Sequence, residues 1–412
     1  PAQDMTIGYV VTHYPRVALT FISGEVDEVE RAGSAVRIFS MNDVEPYADT
    51  ADYEARRANT TYLKRSKGAL ISAYMGLALR HPLRMARLKW QAIRSARTDI
   101  GLMARRLSHL LQAALVAREC RQRGIRHLHA HFGQAPATIA WFAAEMLNFR
   151  GRRARWSFTI HGFQDFVDEA IARLDLKARS AAFVACISDY TRSQLCRITP
   201  PELWSRFHVV RCGIDLQRFP LRTAEPANAI PTIITVGRLS PEKGQLTLLI
   251  ALAKLRDRGI PAQVTYVGSG PLEPRLRSEI DRLDLQDRVR LTGELLPDDV
   301  QRELSAADIF CLPSFSEGLP VSIMEAMAVG IPVVTTNIAG IPEIAVNEHT
   351  ALTVSAGNED ALAHALQRMI QDQSLRTSIM QAARAKVEQE YVLSRNVQAL
   401  IGLYRDHADR DG

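Results

Sequence analysis

The feature that most constrains the fold is an alternation, run twice, of short apolar stretches with longer helical ones. In the first half "TIGYVVTH" (6–13), "SAVRIFSM" (34–41), "HLHAHF" (127–132), "WSFTIHG" (156–162), "AFVACIS" (182–188) and "RFHVVRCG" (206–213) read as strands. A helix is expected from about Ala18 to Gly33, and the Ala-, Leu- and Arg-rich stretch 68–123 reads as helical throughout. Residues 213–231 carry three prolines and no periodicity, which marks a linker. The alternation then restarts with "TIITVG", "AQVTYVG", "VRLTG", "IFCLPS", "PVVTT" and "TALTV" as strands, and helices close the chain from 359. Strand and helix in alternation require a parallel sheet covered on both faces. A length of 412 residues exceeds what one core organises. The expectation is α/β, with two Rossmann-like domains over 1–215 and 216–390 and a last helix, about 391–412, packed back on the first. Such sheets bind ligands at strand carboxyl ends, so the chemistry is sought just after strands and in the cleft between the domains.

Composition excludes several classes. The longest apolar run, "GALISAYMGLAL" (68–79), has twelve residues and is too short to span a bilayer. No signal peptide is visible, and the leading "PAQD" is not assigned. Five unclustered cysteines without a CxxC pair argue against a zinc or disulfide framework and fit a reducing cytoplasm. Charge is uneven. Residues 1–210 hold 30 Lys and Arg against 19 Asp and Glu, a net of +11, while the rest of the chain nets −5. Residues 56–106 hold thirteen cations and one acid, Asp99. Arg80, Arg84, Arg87 and Arg94 fall within roughly 80° of arc at helical spacing, with Leu83 and Trp90 beside them, a pattern suited to an anionic membrane surface. No nucleic-acid-binding motif accompanies the charge, and aromatics are 7% of the chain.

Three motifs follow strands. In "TIITVGRLSPEKGQ" (232–245) the strand ends at Gly237, with Arg238 next and Lys243 before a helix. Two cations beside a helix N-terminus suit a diphosphate. "VTYVGSGPLEPRL" (264–276) offers Gly268 and Gly270, but Glu273 stands where a dinucleotide fingerprint needs its third glycine. "SFSEGLPVSIMEAMAVG" (314–330) holds Glu317 and Glu325 in an apolar run, with Pro320 expected in the first turn of a helix. Buried carboxylates need partners, and sugar and ribose hydroxyls are natural ones. The apolar flank "AMAVGIPVV" argues against a solvated helix face. "HLHAHFG" puts His127, His129 and His131 on one strand face, without a neighbouring Cys or carboxylate to complete a zinc site.

In order, "VGRLSPEKG", "VGSGP", "LTG" and "SEGLPVSIMEAMAVGIPVVTTNIAGIPEI", preceded by "FTIHG" and "HVVRCGID", resemble the GT-B glycosyltransferases of family 4, retaining enzymes that use nucleotide sugars. The set looks most like exopolysaccharide or colanic-acid-type transferases, and the resemblance covers essentially the whole chain. It implies that Gly237, Arg238, Lys243 and Gly268 border the donor diphosphate. Glu317 and the Gly318–Leu319–Pro320 backbone meet the donor sugar, Glu325 takes the ribose, and Gly293, Glu294, Leu295 and Leu296 pack on the base. His161 faces the donor sugar. The loop "THYPRVALTFISGE", in place of the Gly-Gly loop of many relatives, puts the acceptor near His13 and Arg16, with His131 and Asp165 at its edge. The implied function is transfer of a hexose from a UDP- or GDP-sugar, without a divalent metal, to a lipid-linked saccharide at the inner face of the cytoplasmic membrane. A phosphorylase or sugar-phosphate-forming synthase is the alternative on this architecture. A non-catalytic saccharide-binding protein is the alternative from another class.

Overall fold

The computed structural model describes residues 5–16, 20–44, 51–96, 99–151, 153–168, 172–226 and 228–408. The "PAQD" segment and Ala18 lie outside them. The chain divides into two compact units, residues 1–210 with 397–412, and residues 211–396.

The first unit is a seven-stranded sheet whose paired strands are all parallel. Its strands are β1 (Thr6–His13), β2 (Ala35–Asn42), β3 (Thr60–Tyr62), β4 (His127–His131), β5 (Arg155–Ile160), β6 (Val184–Cys186) and β7 (Phe207–Val209), in the order β3-β2-β1-β4-β5-β6-β7. Five consecutive residues of β1, Ile7–Val11, are buried, as a strand covered on both faces requires. The chain builds outward from β1 to β3 and then returns to the other side of β1. That reversal leaves a crevice at the carboxyl ends of β1 and β4.

The second unit repeats the plan with six strands: β8 (Thr232–Val236), β9 (Gln263–Val267), β10 (Val289–Gly293), β11 (Ile309–Leu312), β12 (Val333–Thr336) and β13 (Leu352–Val354). Their order is β10-β9-β8-β11-β12-β13, again parallel, with the reversal between β8 and β11. Each unit has its own apolar core.

Two local readings change. The stretch 68–123 is three helices, Lys67–Arg80, Pro82–Ser95 and Ile100–Arg123. Pro82 opens the second, since proline suits a first turn and cannot continue a helix. Asp99 accepts from the Leu102 N–H and caps the third. Strand β3, three residues long, is too short to show a period.

The last helix, Leu393–Ala408, leaves the second unit and joins the first at residue 397. Tyr404 is fully buried there against the rings of His127, His129 and Phe183. Its hydroxyl lies 3.1 Å from that of Tyr9 on β1. Tyr404→Ala removes a fully buried aromatic and its hydroxyl contact with Tyr9, and is expected to destabilise the first unit by about 3 kcal/mol in denaturant unfolding.

Candidate functional site

In the second unit the two strands flanking the reversal carry the polar groups. After β8 the chain passes Gly237 and Arg238, makes a short turn at Pro241–Lys243, and enters the helix Gln245–Asp257 through Gly244. Gly244 has φ +68°, and a Cβ there would lie 2.0 Å from the carbonyl oxygen of Pro313, just after β11. Only glycine allows that approach, and it brings the ends of β8 and β11 together. Across the join, Lys243 Nζ meets Glu317 Oε1 at 2.7 Å, and the buried Ser314 hydroxyl donates to the same oxygen at 2.7 Å. Glu317 is 8% exposed. Both bonds fall on Oε1, so Oε2 has no partner among the described residues. Ser314 is the partner that sequence reasoning missed, although it stands only three residues before Glu317.

Arg238 is exposed, and its guanidinium has no partner among the described residues. Its backbone carbonyl accepts from Gln245 Nε2 at 2.8 Å, which fixes the turn. Gly268 has φ +132°, and a Cβ there would lie 2.2 Å from the Gly237 carbonyl oxygen. This glycine is therefore required by a backbone neighbour, whatever else approaches it.

Pro320 does not occupy the first helical turn. It stands at the N-cap, and the helix runs Val321–Val329, because the φ of proline is compatible with the extended cap as well as with the helix. No side chain caps this helix, so its leading N–H groups and dipole stay available to an anion. Glu325, inside the helix, is half-buried, and desolvation pushes its carboxyl up to about 8 despite the opposing charge of Arg218. The two glutamates thus differ in kind: Glu317 is held by a cation and a hydroxyl, Glu325 by neither. Gly293 ends β10, Glu294 is exposed, Leu295 half-buried, and Leu296 an exposed apolar side chain beside them.

In the first unit the loops after β4 and β5 are tied together. Asp165 accepts from the Gly133 N–H at 2.7 Å and the His161 N–H at 2.8 Å. The buried Lys177 ammonium donates to the carbonyls of Gly133 and Gln134 at 2.6 and 2.8 Å. Asp165 is 1% exposed and His131 0% exposed. Both stand inside the unit, where the sequence reading sets them at the edge of the acceptor. The acidic residue spends its oxygens on backbone N–H groups, and His131 lies under His161 with Nδ1 3.0 Å from His161 Nε2.

His129 and His131 gather with Glu25 so that ligand atoms lie within 4.8 Å of one another. Both His129 nitrogens are already taken, by Ser157 Oγ at 2.8 Å and Thr159 Oγ1 at 2.8 Å. The strand is built as a hydrogen-bonded network rather than as a ligand set. His13 ends β1 half-buried, its imidazole pushed down by burial and by Arg16 and Lys64. The loop after it is fixed by Tyr14, whose hydroxyl accepts from Arg56 at 3.1 Å and whose carbonyl accepts from Tyr62 at 3.2 Å. Arg16 is exposed.

The basic region also changes. Arg80 ends one helix, before the break at His81, and Arg84 donates to the Phe149 carbonyl with its guanidinium over the Phe149 ring. The four arginines do not share one helical face, because Pro82 starts a new helix. What remains on one exposed face of Pro82–Ser95 is Leu83, Arg87, Trp90 and Arg94, spaced i, i+4, i+7, i+11. The preceding helix exposes Ile71, Met75 and Leu79 at four-residue spacing. Leu83 is 84% and Trp90 64% exposed, unusual for such side chains. Among the described residues no helix is long and apolar enough to cross a membrane.

Residues 222–386 match the family described as "Glycosyl transferases group 1". The chain is 29% identical over 404 residues to the amylovoran biosynthesis glycosyltransferase AmsK of Erwinia amylovora, covering 94% of this chain and 96% of that one. It is 31% identical over 286 residues to the putative colanic acid biosynthesis glycosyltransferase WcaL of Escherichia coli, covering 66% and 69%. The Anabaena protein HepE, solved in complex with UDP and glucose, superposes with a TM-score of 0.73 at 17% identity over 98% of this chain and all of that one, a likeness of GT-B fold.

The Glu325 carboxyl gives a prediction with a definite sign. Below its ordinary value of 4.5 it is protonated folded or unfolded and costs nothing. Above about 8 it is ionised in both states and its burial penalty is complete. Glu325→Gln should therefore melt like the parent near pH 4 and progressively higher than it from pH 5 to pH 9, measured by differential scanning fluorimetry.

Proposed function

The chain belongs to the group 1 glycosyl transferases, and from that membership we propose that it moves a hexose from a UDP- or GDP-sugar, with retention, to a lipid-linked saccharide acceptor. The relatives named for amylovoran and colanic acid biosynthesis favour an exopolysaccharide product. One observation carries the reading. At the reversal between β8 and β11, the Lys243 ammonium and the Ser314 hydroxyl hold one oxygen of the Glu317 carboxylate and leave the other unused, while Arg238 and the uncapped start of Val321–Val329 follow the same two strands.

In this reading Arg238, Lys243 and the leading N–H groups of Val321–Val329 take the donor diphosphate. They stabilise the charge that grows on it as the glycosidic bond breaks. Lys243 then lies between Glu317 and a phosphate, neutralising part of each. Oε2 of Glu317 accepts a hydroxyl of the transferred sugar, so the residue positions rather than attacks. The acceptor hydroxyl adds to the anomeric carbon from the face that the diphosphate leaves, and its proton passes to the departing phosphate oxygen. The chain's own cations and dipole supply the charge compensation, so the reaction is proposed to run without a divalent ion. The base rests on Gly293–Leu296, where Leu296 offers apolar surface. Glu325, neutral near pH 7, can both donate to and accept from ribose hydroxyls. His161 is assigned to the transferred sugar, and His13 and Arg16 to the acceptor.

The exposed apolar side chains of the first unit, interleaved with Arg87 and Arg94, support peripheral docking on an anionic membrane. Such a surface would bring a lipid-linked acceptor to the enzyme.

With whichever of UDP, GDP and their sugars raises the melting temperature most, Lys243→Ala and Glu317→Ala should each lose about 100-fold or more in turnover while keeping the parental circular dichroism. Full transfer in both overturns the site. Product analysis with free phosphate in place of nucleotide separates a phosphorylase. Replacing Leu79, Leu83 and Trp90 together with Ser should abolish sedimentation with phosphatidylglycerol vesicles and leave turnover on a water-soluble acceptor intact.

A further inference from the structure

His161 does not stand alone at the end of β5. Its Nε2 lies 3.0 Å from Nδ1 of His131, and Nε2 of His131 lies 3.3 Å from Oε1 of Glu25 on the helix Thr20–Arg31. The last contact has ion-pair distance without hydrogen-bond alignment. The same Glu25 oxygen accepts from the Tyr9 hydroxyl at 2.7 Å, and Tyr9 in turn meets Tyr404. Tyr9, Tyr404 and His131 are buried, Glu25 is partly exposed, and His161 is half-buried against Phe21 and Phe132 at 4.8 and 4.6 Å between ring centroids. Nothing in the donor chemistry described above uses Glu25 or His131.

With both imidazoles neutral, the row has one self-consistent proton arrangement. A neutral imidazole carries one proton. If His131 bore it on Nδ1, a bare nitrogen lone pair would face the Glu25 carboxylate at 3.3 Å, which is repulsive. The proton therefore belongs on His131 Nε2, toward the carboxylate. His131 Nδ1 is then an acceptor, and the 3.0 Å contact is filled only if His161 carries its proton on Nε2. That leaves Nδ1 of His161 as a bare acceptor, and among the described residues no group bonds it. Burial, and after it the neighbouring His131, holds the His161 imidazole well below its ordinary protonation range, so it stays neutral.

We propose that Glu25 and His131 are positioning residues for His161, locking it as the Nε2–H tautomer so that its Nδ1 accepts a hydrogen bond from a hydroxyl of the transferred sugar. The role of Nδ1 rests on the reading above that His161 meets the donor sugar. The tautomer lock does not depend on it. The logic is that of a buried carboxylate orienting a catalytic imidazole, extended by one ring. The groups facing the pair are Glu25 and, through it, Tyr9 and Tyr404, with His129 beside His131 and Asp165 bonded to the His161 backbone.

The test needs no donor. In the full chain with 15N-labelled histidine, two-bond 1H–15N correlations report the tautomer of each ring. His131→Asn and His161→Asn assign the signals. The parent should show single Nε2–H tautomers for His131 and His161. Glu25→Gln, whose amide can present either oxygen or NH2, should release the lock, so that the Nδ1–H form appears at both rings. It should also move protonation of the pair to lower pH by about 1 unit or more, because a nearby negative charge favours the cation. A fold defect would not shift that titration selectively, and Glu25→Asp, which keeps the charge, should retain most of it. Nδ1–H in the parent His161, or unchanged tautomers and titration in Glu25→Gln, overturns the proposal. Full transfer by His161→Asn would instead refute the sugar contact and leave the lock standing.

Discussion

Parallel strand pairing is the constraint from which the rest follows. Strands that all run one way put every carboxyl end on one edge of the sheet. The loops that leave those ends gather there regardless of their separation in sequence. In the second unit this places Arg238 and Lys243 after β8 beside Ser314 and Glu317 after β11, more than seventy residues later. In the first unit it places His131, the last residue of β4, next to His161 just after β5. In the second unit the neighbours needed to form the site are made by strand order and by two close backbone approaches, at Gly244 and Gly268.

Burial then decides what the carboxyl groups do. Glu317 and Asp165 are buried and Glu325 is half-buried, and each settles differently. Glu317 keeps its charge company with an ammonium and a hydroxyl. Asp165 is held by backbone N–H groups, which pull against desolvation and leave its carboxyl near 6. Glu325 has no hydrogen-bond partner among the described residues, and desolvation pushes it to about 8. Desolvation raises both Asp165 and Glu325, and the backbone N–H donors around Asp165 make the difference between them. A glycosyl donor carries hydroxyls, a diphosphate and a ribose, and a site with one cation-paired carboxyl, one desolvated carboxyl and an exposed guanidinium offers groups suited to that mixture.

Much of this was legible from residues alone. Strand positions followed from short apolar runs, and the site motifs followed from what comes after each strand. Arg238, Lys243, Glu317 and Glu325 stood out because charges in apolar surroundings need a reason. The misreadings have physical causes. The sequence sets His131 and Asp165 at the edge of a binding site because their residue types are chemically active, and nothing in their neighbours reveals that Lys177, 44 residues after Gly133, bonds to that loop and is itself buried. The four arginines looked like one face because helical spacing ran unbroken through His81, where the helix stops.

The sequence by itself determined the class of fold, the order of elements and the residue types at the strand ends, because strand and helix periods are local and glycine, proline and charge act within a few residues. Only the tertiary structure decided which of those residues touch. It set the Lys243–Glu317 pair, the burial of His131 and Asp165, the split between a held and an unheld glutamate, and the line from Glu25 to His161. Those are products of strand order and packing, and contacts between residues 30 to 106 positions apart leave no trace in local sequence pattern.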